Sequence, residues 1–504
     1  MEWTMAPDGM AAAARKVITG LLESGREAYF VGGCIRDELL GRPVHDIDLT
    51  TSALPEEVMA VFPRCVPTGL AHGTVTVLQD GFSFEVTTYR TESGYADHRR
   101  PEHVSFVSDV KEDLRRRDFT INAICCGLDG ELVDPFLGAQ DLNARLIRCV
   151  GSAEERFDED ALRMLRCVRF ASVLDFAVAK NTWRGLLRQR DKLAHIAVER
   201  VRAETERIAL GPHPVRGLGL LARSGLLARG KAPFPWTGED LAAAAAMLAG
   251  IGELDSARLR WALLLHALGQ SAEAADKLLR AWTFPGAARS SVAAVLRVRE
   301  AWDAALASVA PDSPGATEQL RRRWIAAVLS IGAEAADGWV TLLAALPQAA
   351  AGSAGGAERP AQGAGMAAPA GRPVIHAADS AAPAGQSVSH AADNAAPAGQ
   401  PVSHAADSAG PAGHAVSHAS DSAALIRQHI PPATLRSWTE EMPIRSLSEL
   451  AVSGKELAGL LGKTPGPWLG VLLNKLLLAV AAGDCPNDQQ VLLQEARRMD
   501  IDES

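Results

Sequence analysis

Apolar positions recur at helical spacing from Ala14 to Leu22, then give way to Tyr29, Phe30 and Val31, a β-prone run that ends at Gly32 and Gly33. Residues 1–14 read as a disordered or partly helical lead. Cys34 to Leu40 has the length and composition of a short helix, stopped by Gly41 and Pro43. Polar and apolar residues alternate through Asp46-Ile47-Asp48-Leu49, the period of a strand with one buried face. Ser52 has the chemistry of an N-cap for a helix carrying Glu56 and Glu57 in its first turn. Gly73–Leu78 and Phe82–Thr87 are β-rich and flank Asp80-Gly81, a strong hairpin signal. Beyond about residue 146 the pattern is helical, with Ala/Leu-rich stretches at Asp240–Leu248, Ala257–Leu268, Leu278–Trp282, Ser290–Ala307 and Gln319–Leu329. An α+β fold is predicted: a small mixed β-sheet with helices up to about residue 145, and an all-α remainder.

The helical pattern is interrupted once. A 14-residue unit recurs at Pro373–Gln386, Ser387–Gln400 and Pro401–His414, mostly Ala, Gly, Pro and Ser around one His-Ala-Ala-Asp. It has few large apolar residues to bury, so 350–423 reads as a disordered insert, and its few histidines make a poor metal site. At 504 residues the chain is too long for one core. Its seven cysteines form no C-x-x-C pair, which points to free thiols in a reducing cytoplasm and away from zinc. No signal-peptide pattern is apparent at the N-terminus, and no run of 18 apolar residues appears, Val471–Ala482 being cut by Asn474 and Lys475; a membrane span is not expected. The net charge of −9 does not suggest a nucleic-acid binder, but Arg145–Lys231 carries 18 Lys/Arg against 10 Asp/Glu, a local surplus that suits an RNA backbone.

The chemistry concentrates near the N-terminus. Two glycines at a strand end allow the backbone to approach a ligand closely. The N–H groups of the following helix and the Arg36 cation suit phosphate, with Gly33 and Arg36 as candidate nucleotide contacts. If Asp46 and Asp48 lie on one strand face, their carboxylates repel until divalent cations sit between them. A phosphate cradle beside metal carboxylates suggests two-metal nucleotidyl transfer; the bland alternative is a Gly-Gly turn before two solvated acids. Glu85, between Phe84 and Val86, can be an outward-facing acid. Arg90–Pro101 is polar, aperiodic and contains Gly94, so it reads as a mobile loop. Of Arg115, Arg116 and Arg117, not all can face one ligand. Asp160, Arg163, Arg166 and Arg169 recur every three residues, so neighbours lie within side-chain reach; a surface ion-pair ladder is the plain alternative. Cytosine and adenine both present an amino donor beside an unprotonated ring nitrogen. A carboxylate at Asp160 and a guanidinium at Arg163 could therefore accept C and A and disfavour G and U.

The run from Tyr29 to Thr51 resembles the signature of the class II tRNA nucleotidyltransferase and bacterial poly(A) polymerase family, within the DNA polymerase β-like superfamily. Leu114–Ala123 and the Glu159-Asp160-x-x-Arg163 spacing match further family motifs in order. The resemblance implies a catalytic head at 1–145, a base-selecting neck at 146–214, an RNA-binding body at 215–349 and a tRNA-binding tail at 424–504. It implies addition of C, C and A to the tRNA 3′ end from CTP and ATP, with pyrophosphate released and Asp46 and Asp48 holding two Mg²⁺. Glu85 stands where the superfamily has its third carboxylate. Arg117 matches the family's nucleotide contact, Arg115 and Arg116 being left for RNA or the surface, while Arg166 and Arg169 extend toward the triphosphate or primer. Asp97-His98-Arg99-Arg100-Pro101 is similar to the family's flexible loop, implied to assist the change from C to A addition. Val198–Ile208 resembles its last neck motif, a structural element. Around Gly454–Leu457, Lys463–Gly470 and Cys485–Asn487 the chain is similar to the family tail, where Gly-Pro turns beside a lysine suit phosphate. The implied partners are tRNA, CTP and ATP, with no DNA and no membrane. Poly(A) polymerase, a CC- or A-adding specialist and a non-catalytic RNA-binding relative remain open.

Overall fold

Leu49–Thr51 (β2) is three residues long and fully buried, and the head sheet is assembled around it. It pairs antiparallel with Ala28–Val31 (β1), Phe30 lying opposite Leu49. On its other side it runs parallel to Phe82–Thr88 (β5), Leu49 opposite Val86. With Cys65–Gly69 (β3), Thr74–Gln79 (β4), Cys125–Cys126 (β8) and Leu132–Val133 (β9), the sheet has the order β3-β4-β5-β2-β1-β8-β9. β4 and β5 form the expected hairpin, and both turn residues, Asp80 and Gly81, take positive φ as a tight two-residue hairpin turn requires.

The structure is a computed structural model and describes residues 3–94, 103–232, 234, 237–310, 313–346 and 430–501. The candidate loop Asp97–Pro101 and the insert 350–423 lie outside the described residues.

Helix α1 (Asp8–Glu23) begins six residues before the periodic stretch, so the lead is helical rather than disordered from Asp8 on. It buries Met10, Ala14, Val17, Ile18 and Leu21 against the sheet, the i, i+3, i+4 stripe that makes a helix amphipathic. Ser52 does not cap the next helix. That helix is α3 (Pro55–Val61), α2 being Gly33–Leu39, and in it Glu57 reaches back to the Leu54 N–H at 2.8 Å while the Ser52 hydroxyl accepts from Glu27 N–H. Arg90–Ser93 (β6) is not loop but strand, paired with His103–Phe106 (β7).

The neck carries α6 (Ala153–Glu159), α7 (Leu162–Val173), α8 (Lys180–Gln189) and α9 (Val198–Ala209), following α4 (Val110–Arg115) and α5 (Gly138–Asn143) of the head. It is not purely helical, because Leu146–Ile147 pairs in parallel with Ala177–Val178. The body and tail are helices, and among the described residues no helix is long and apolar enough to cross a membrane. Among the described residues one hydrophobic core runs from Trp3 through neck and body to Ala482, a second lies within the tail around Leu457, Leu476 and Leu492, and a third, smaller one lies in the head around Tyr89, Leu114 and Cys125. Arg260, nearly buried, ties the neck end to the body by donating to the carbonyls of Ala209, Gly211, Gly252 and Leu254.

The body core encloses His266 edge-on to Trp339, and neither ring nitrogen has a hydrogen-bond partner among the described residues. Burial, reinforced by Arg299, pushes its pKa down to about 3. The unfolded chain therefore binds a proton below pH 6.5 that the folded chain refuses until about pH 3. Stability is level above pH 6.5 and falls as pH drops through this window, by about 1.4 kcal/mol per pH unit at most. His266→Phe is expected to flatten the melting temperature between pH 6.5 and 4.5; an unchanged acid slope excludes this histidine as its source.

Candidate active site

Val31 closes β1 by donating its N–H to the Asp48 carbonyl at 3.0 Å, which brings the glycine turn alongside the carboxylate segment. Gly32 takes φ 81 and ψ −125, and a Cβ there would stand 2.9 Å from Nη1 of Arg117. Gly32 is therefore the position that needs glycine, for both its φ and the close approach. Gly33 is the first residue of α2, and a Cβ there would meet Arg36 Nη2 at 3.7 Å. The N–H groups of Gly33, Cys34 and Ile35 precede the first intrahelical donor, that of Arg36 to Gly32 O.

Asp46 and Asp48 lie in the segment leading into β2 rather than inside the strand, yet the alternation holds. Asp46 is exposed, Ile47 buried, Asp48 half-buried and Leu49 buried. One register step back from Leu49 opposite Val86 sets Asp48 beside Glu85, whose side chain is exposed. Burial, then Asp46, then Glu85 push the Asp48 pKa up to about 6, against the pull of Arg117. The three acids thus share one electrostatic site facing one cation. Among the described residues no three His, Cys, Asp or Glu side chains converge into a ready-made metal cluster. Two carboxylates with open oxygens fit Mg²⁺, which commonly takes one or two from the protein and the rest from substrate phosphates and water. Cys34 lies beneath, its thiol pushed up to about 12 by burial and then by Asp48, so it is not a nucleophile.

The arginines are held rather than loose. Arg36 forms a double contact with Asp37, at 3.1 and 2.7 Å, and donates from Nη1 to Asn122 Oδ1 at 2.6 Å. Arg117 lies 3.6 Å from the fully buried Asp113. Arg116 is not at the surface: its side chain is 17% exposed and paired with Asp113 and Glu92. Arg115, 64% exposed, is the surface member of the three. Asp118 Oδ1 accepts from Asn122 Nδ2 at 3.0 Å, and its Oδ2 from Arg166 Nε at 2.8 Å. Burial opposes the Asp118 charge, but Arg166, Asn122 and Arg163 outweigh it and hold the carboxyl well below the usual range.

The neck charges do not form an ion-pair ladder with one another along one helix. Asp160 stands in the break before α7, where its Oδ1 accepts from Leu162 N–H at 3.0 Å and its Oδ2 from Arg200 at 3.3 Å. Arg163 is paired with Glu159 at 2.5 Å and donates to the Arg116 carbonyl at 3.0 Å. Arg169 is paired at 2.6 Å with Glu204, a buried acid of α9. Arg36, Arg166 and Arg169 come to 5.0, 5.3 and 4.2 Å of the Phe170 ring centroid, three cations around one aromatic ring. The structure thus brings Gly32, Asp46, Asp48, Glu85 and Arg117 together in the head. Arg36 joins them through Asn122 to the neck cations. Glu159 stood in the Glu159-Asp160-x-x-Arg163 motif without a role of its own, while Asn122, Asp113 and Phe170 become legible only through tertiary contact. In the tail, Asn487 bridges Ala451 N–H and Glu449 O, a structural role, and Lys463 lies 5.8 Å from the Trp468 ring.

The sequence of the head, residues 28–148, matches the Poly A polymerase head domain family; residues 175–229 match "Probable RNA and SrmB- binding site of polymerase A", and 414–496 match tRNA nucleotidyltransferase domain 2. The CCA-adding enzyme of Geobacillus thermodenitrificans is 45% identical over 319 residues, 62% of this chain and 75% of that one. The chain belongs to the CCA-adding enzyme family. The CCA-adding enzyme of Limosilactobacillus reuteri is 53% identical over 213 residues, 42% of this chain and 53% of that one. The crystal structure of the Bacillus stearothermophilus CCA-adding enzyme in complex with CTP superposes with a TM-score of 0.68 at 33% identity, covering 99% of this chain and 100% of that one. The Thermotoga maritima CCA-adding enzyme complexed with tRNA shares the fold at 18% identity, with a TM-score of 0.56 over 98% of this chain and 97% of that one.

Proposed function

We propose that this chain adds C, C and A to the 3′ end of tRNA without a nucleic-acid template, using CTP and ATP and releasing pyrophosphate. The observation that carries the reading is the wiring of the carboxylate pair Asp46 and Asp48, through Arg117 and Asn122, to the neck segment that presents Asp160 and Arg163. The CTP-bound relative supports the nucleotide, and the Geobacillus and Limosilactobacillus relatives, both named as CCA-adding enzymes, favour this activity over poly(A) synthesis.

In the reaction the primer 3′-oxygen attacks the α-phosphorus and the bond to the β-phosphate oxygen breaks. Asp46 and Asp48 would hold Mg²⁺, which supplies charge neutralisation for the attacking and leaving oxygens when bound. Gly32 leaves room for the nucleotide beside Arg117, and Gly33, Arg36 and Arg117 orient its phosphates. Glu85 adds negative charge at the mouth of the carboxylate site. Arg166 and Arg169 stand further along the neck, toward triphosphate or primer. Asp160 and Arg163 face the base edge, and Glu159 fixes the Arg163 guanidinium.

The test is addition of each single nucleotide by the purified protein to tRNAs ending before, within and after CCA. CMP incorporation on the shortest tRNA and AMP only after two cytidines are expected. Processive AMP addition whatever the 3′ end would make the chain a poly(A) polymerase instead.

A further inference from the structure

Asn122 sits at the junction of three charged groups. It is 7% exposed, in the 3-10 turn Thr120–Asn122 that follows the three arginines. Its Oδ1 accepts from Arg36 Nη1 at 2.6 Å, its Nδ2 donates to Asp118 Oδ1 at 3.0 Å, and its carbonyl lies 3.5 Å from Arg117 Nη1. The partners dictate the amide orientation. Turned over, its NH₂ would face a guanidinium and its oxygen a carboxylate, both repulsive. No other residue of this size accepts on one side and donates on the other. Aspartate would repel Asp118, and leucine would leave Arg36 and Asp118 each short of a partner. Beyond Asp118 the relay continues to Arg166 on α7, and Arg36 also stacks over Phe170 of the same helix.

We propose that Asn122 is a positioning residue for the incoming nucleotide. It holds the Arg36 guanidinium of the head in fixed register with the neck helix that follows Asp160. This rests on the nucleotidyltransferase reading above and adds a residue to it. Because Arg36 is the nucleotide contact that Asn122 holds, removing Asn122 after Arg36 is gone should cost CTP affinity little further.

The test is a double-mutant cycle on CTP affinity, read by calorimetry with Mg²⁺ present, using Arg36→Ala, Asn122→Ala and the double variant. Each single change is expected to weaken CTP binding roughly 10-fold or more. The double variant should match Arg36→Ala within about twofold. Wild-type affinity in Asn122→Ala, or losses that multiply in the double variant, overturns the relay. Should the alanine variant not fold, Asn122→Ser keeps a polar group in the space and carries the same cycle with the same outcomes. Binding is separate from turnover. A wild-type chain that binds CTP but adds no CMP to tRNA sinks the functional reading, while the cycle still decides the relay.

Discussion

Asp48→Asn is expected to abolish nucleotide addition and, in metal-free buffer at pH 7.5, to raise the melting temperature. Two physical effects act in opposite directions on activity and stability. Asp48 is half-buried, and burial, Asp46 and Glu85 all disfavour its charge, so its pKa rises to about 6. A carboxyl whose folded pKa is raised binds its proton more tightly in the folded state. The cost is absent below the unfolded value near pH 4, grows between pH 4 and 6, and is fully present above pH 6. A shift of about two units corresponds to at most about 3 kcal/mol. Asparagine carries no charge to desolvate and relieves that cost. Metal coordination works the other way, since losing several kcal/mol of charge stabilisation slows the reaction about 10³-fold or more. Mg²⁺ should stabilise the wild type and leave the variant unmoved. A variant that melts earlier than wild type without metal would mean the aspartate is held by contacts stronger than the repulsion. Normal turnover would remove it from the metal site.

What could be read from the sequence was local chemistry. Asp80-Gly81 between two β-rich runs marked the hairpin, because positive φ at both positions is a property of the turn itself. The period-two alternation at Asp46–Leu49 located the carboxylate pair, although the ladder proper starts only at Leu49. Arg90–Ser93 has no alternation and few apolar residues, and becomes a strand through pairing with a segment thirteen positions on. Arg116 and Arg115 look alike in sequence; the buried Asp113 takes one and leaves the other outside. The same holds at the site. Arg36 meets Asn122 across 86 positions and Arg166 meets Asp118 across 48, and no spacing rule covers such distances. The three-residue spacing of Asp160, Arg163, Arg166 and Arg169 was real. It does not mean mutual pairing, because the partners are Arg200, Asp118 and Glu204, far along the chain, and Glu159, just before the series.

Those partners sharpen the test of base selection. Asp160→Ala would remove the proposed base contact but also removes the cap on Leu162 N–H, which alone costs about 1 kcal/mol, and leaves Arg200 without its acid. Asp160→Asn is the more conservative change, although it too takes the acid away from Arg200. Its Oδ1 keeps the cap, and an NH₂ replaces the oxygen that would accept from the base amino group. An amino group facing cytosine N4 or adenine N6 sets donor against donor, whereas uracil O4 and guanine O6 can accept from it. Losing one charge-assisted hydrogen bond is worth about 1.5–3 kcal/mol, or roughly one to two orders of magnitude in kcat/KM. CTP and ATP use should therefore fall by that factor in Asp160→Asn, while UTP and GTP gain relative to them. The melting temperature should fall less than in Asp160→Ala, because the cap survives while the Arg200 pair is lost in both. Steady-state kinetics with all four nucleotides, at saturating tRNA and fixed Mg²⁺, separates the possibilities. If Asp160→Asn turns over more slowly yet keeps its full preference for C and A over U and G, the carboxylate serves the α6–α7 junction and the base is read elsewhere.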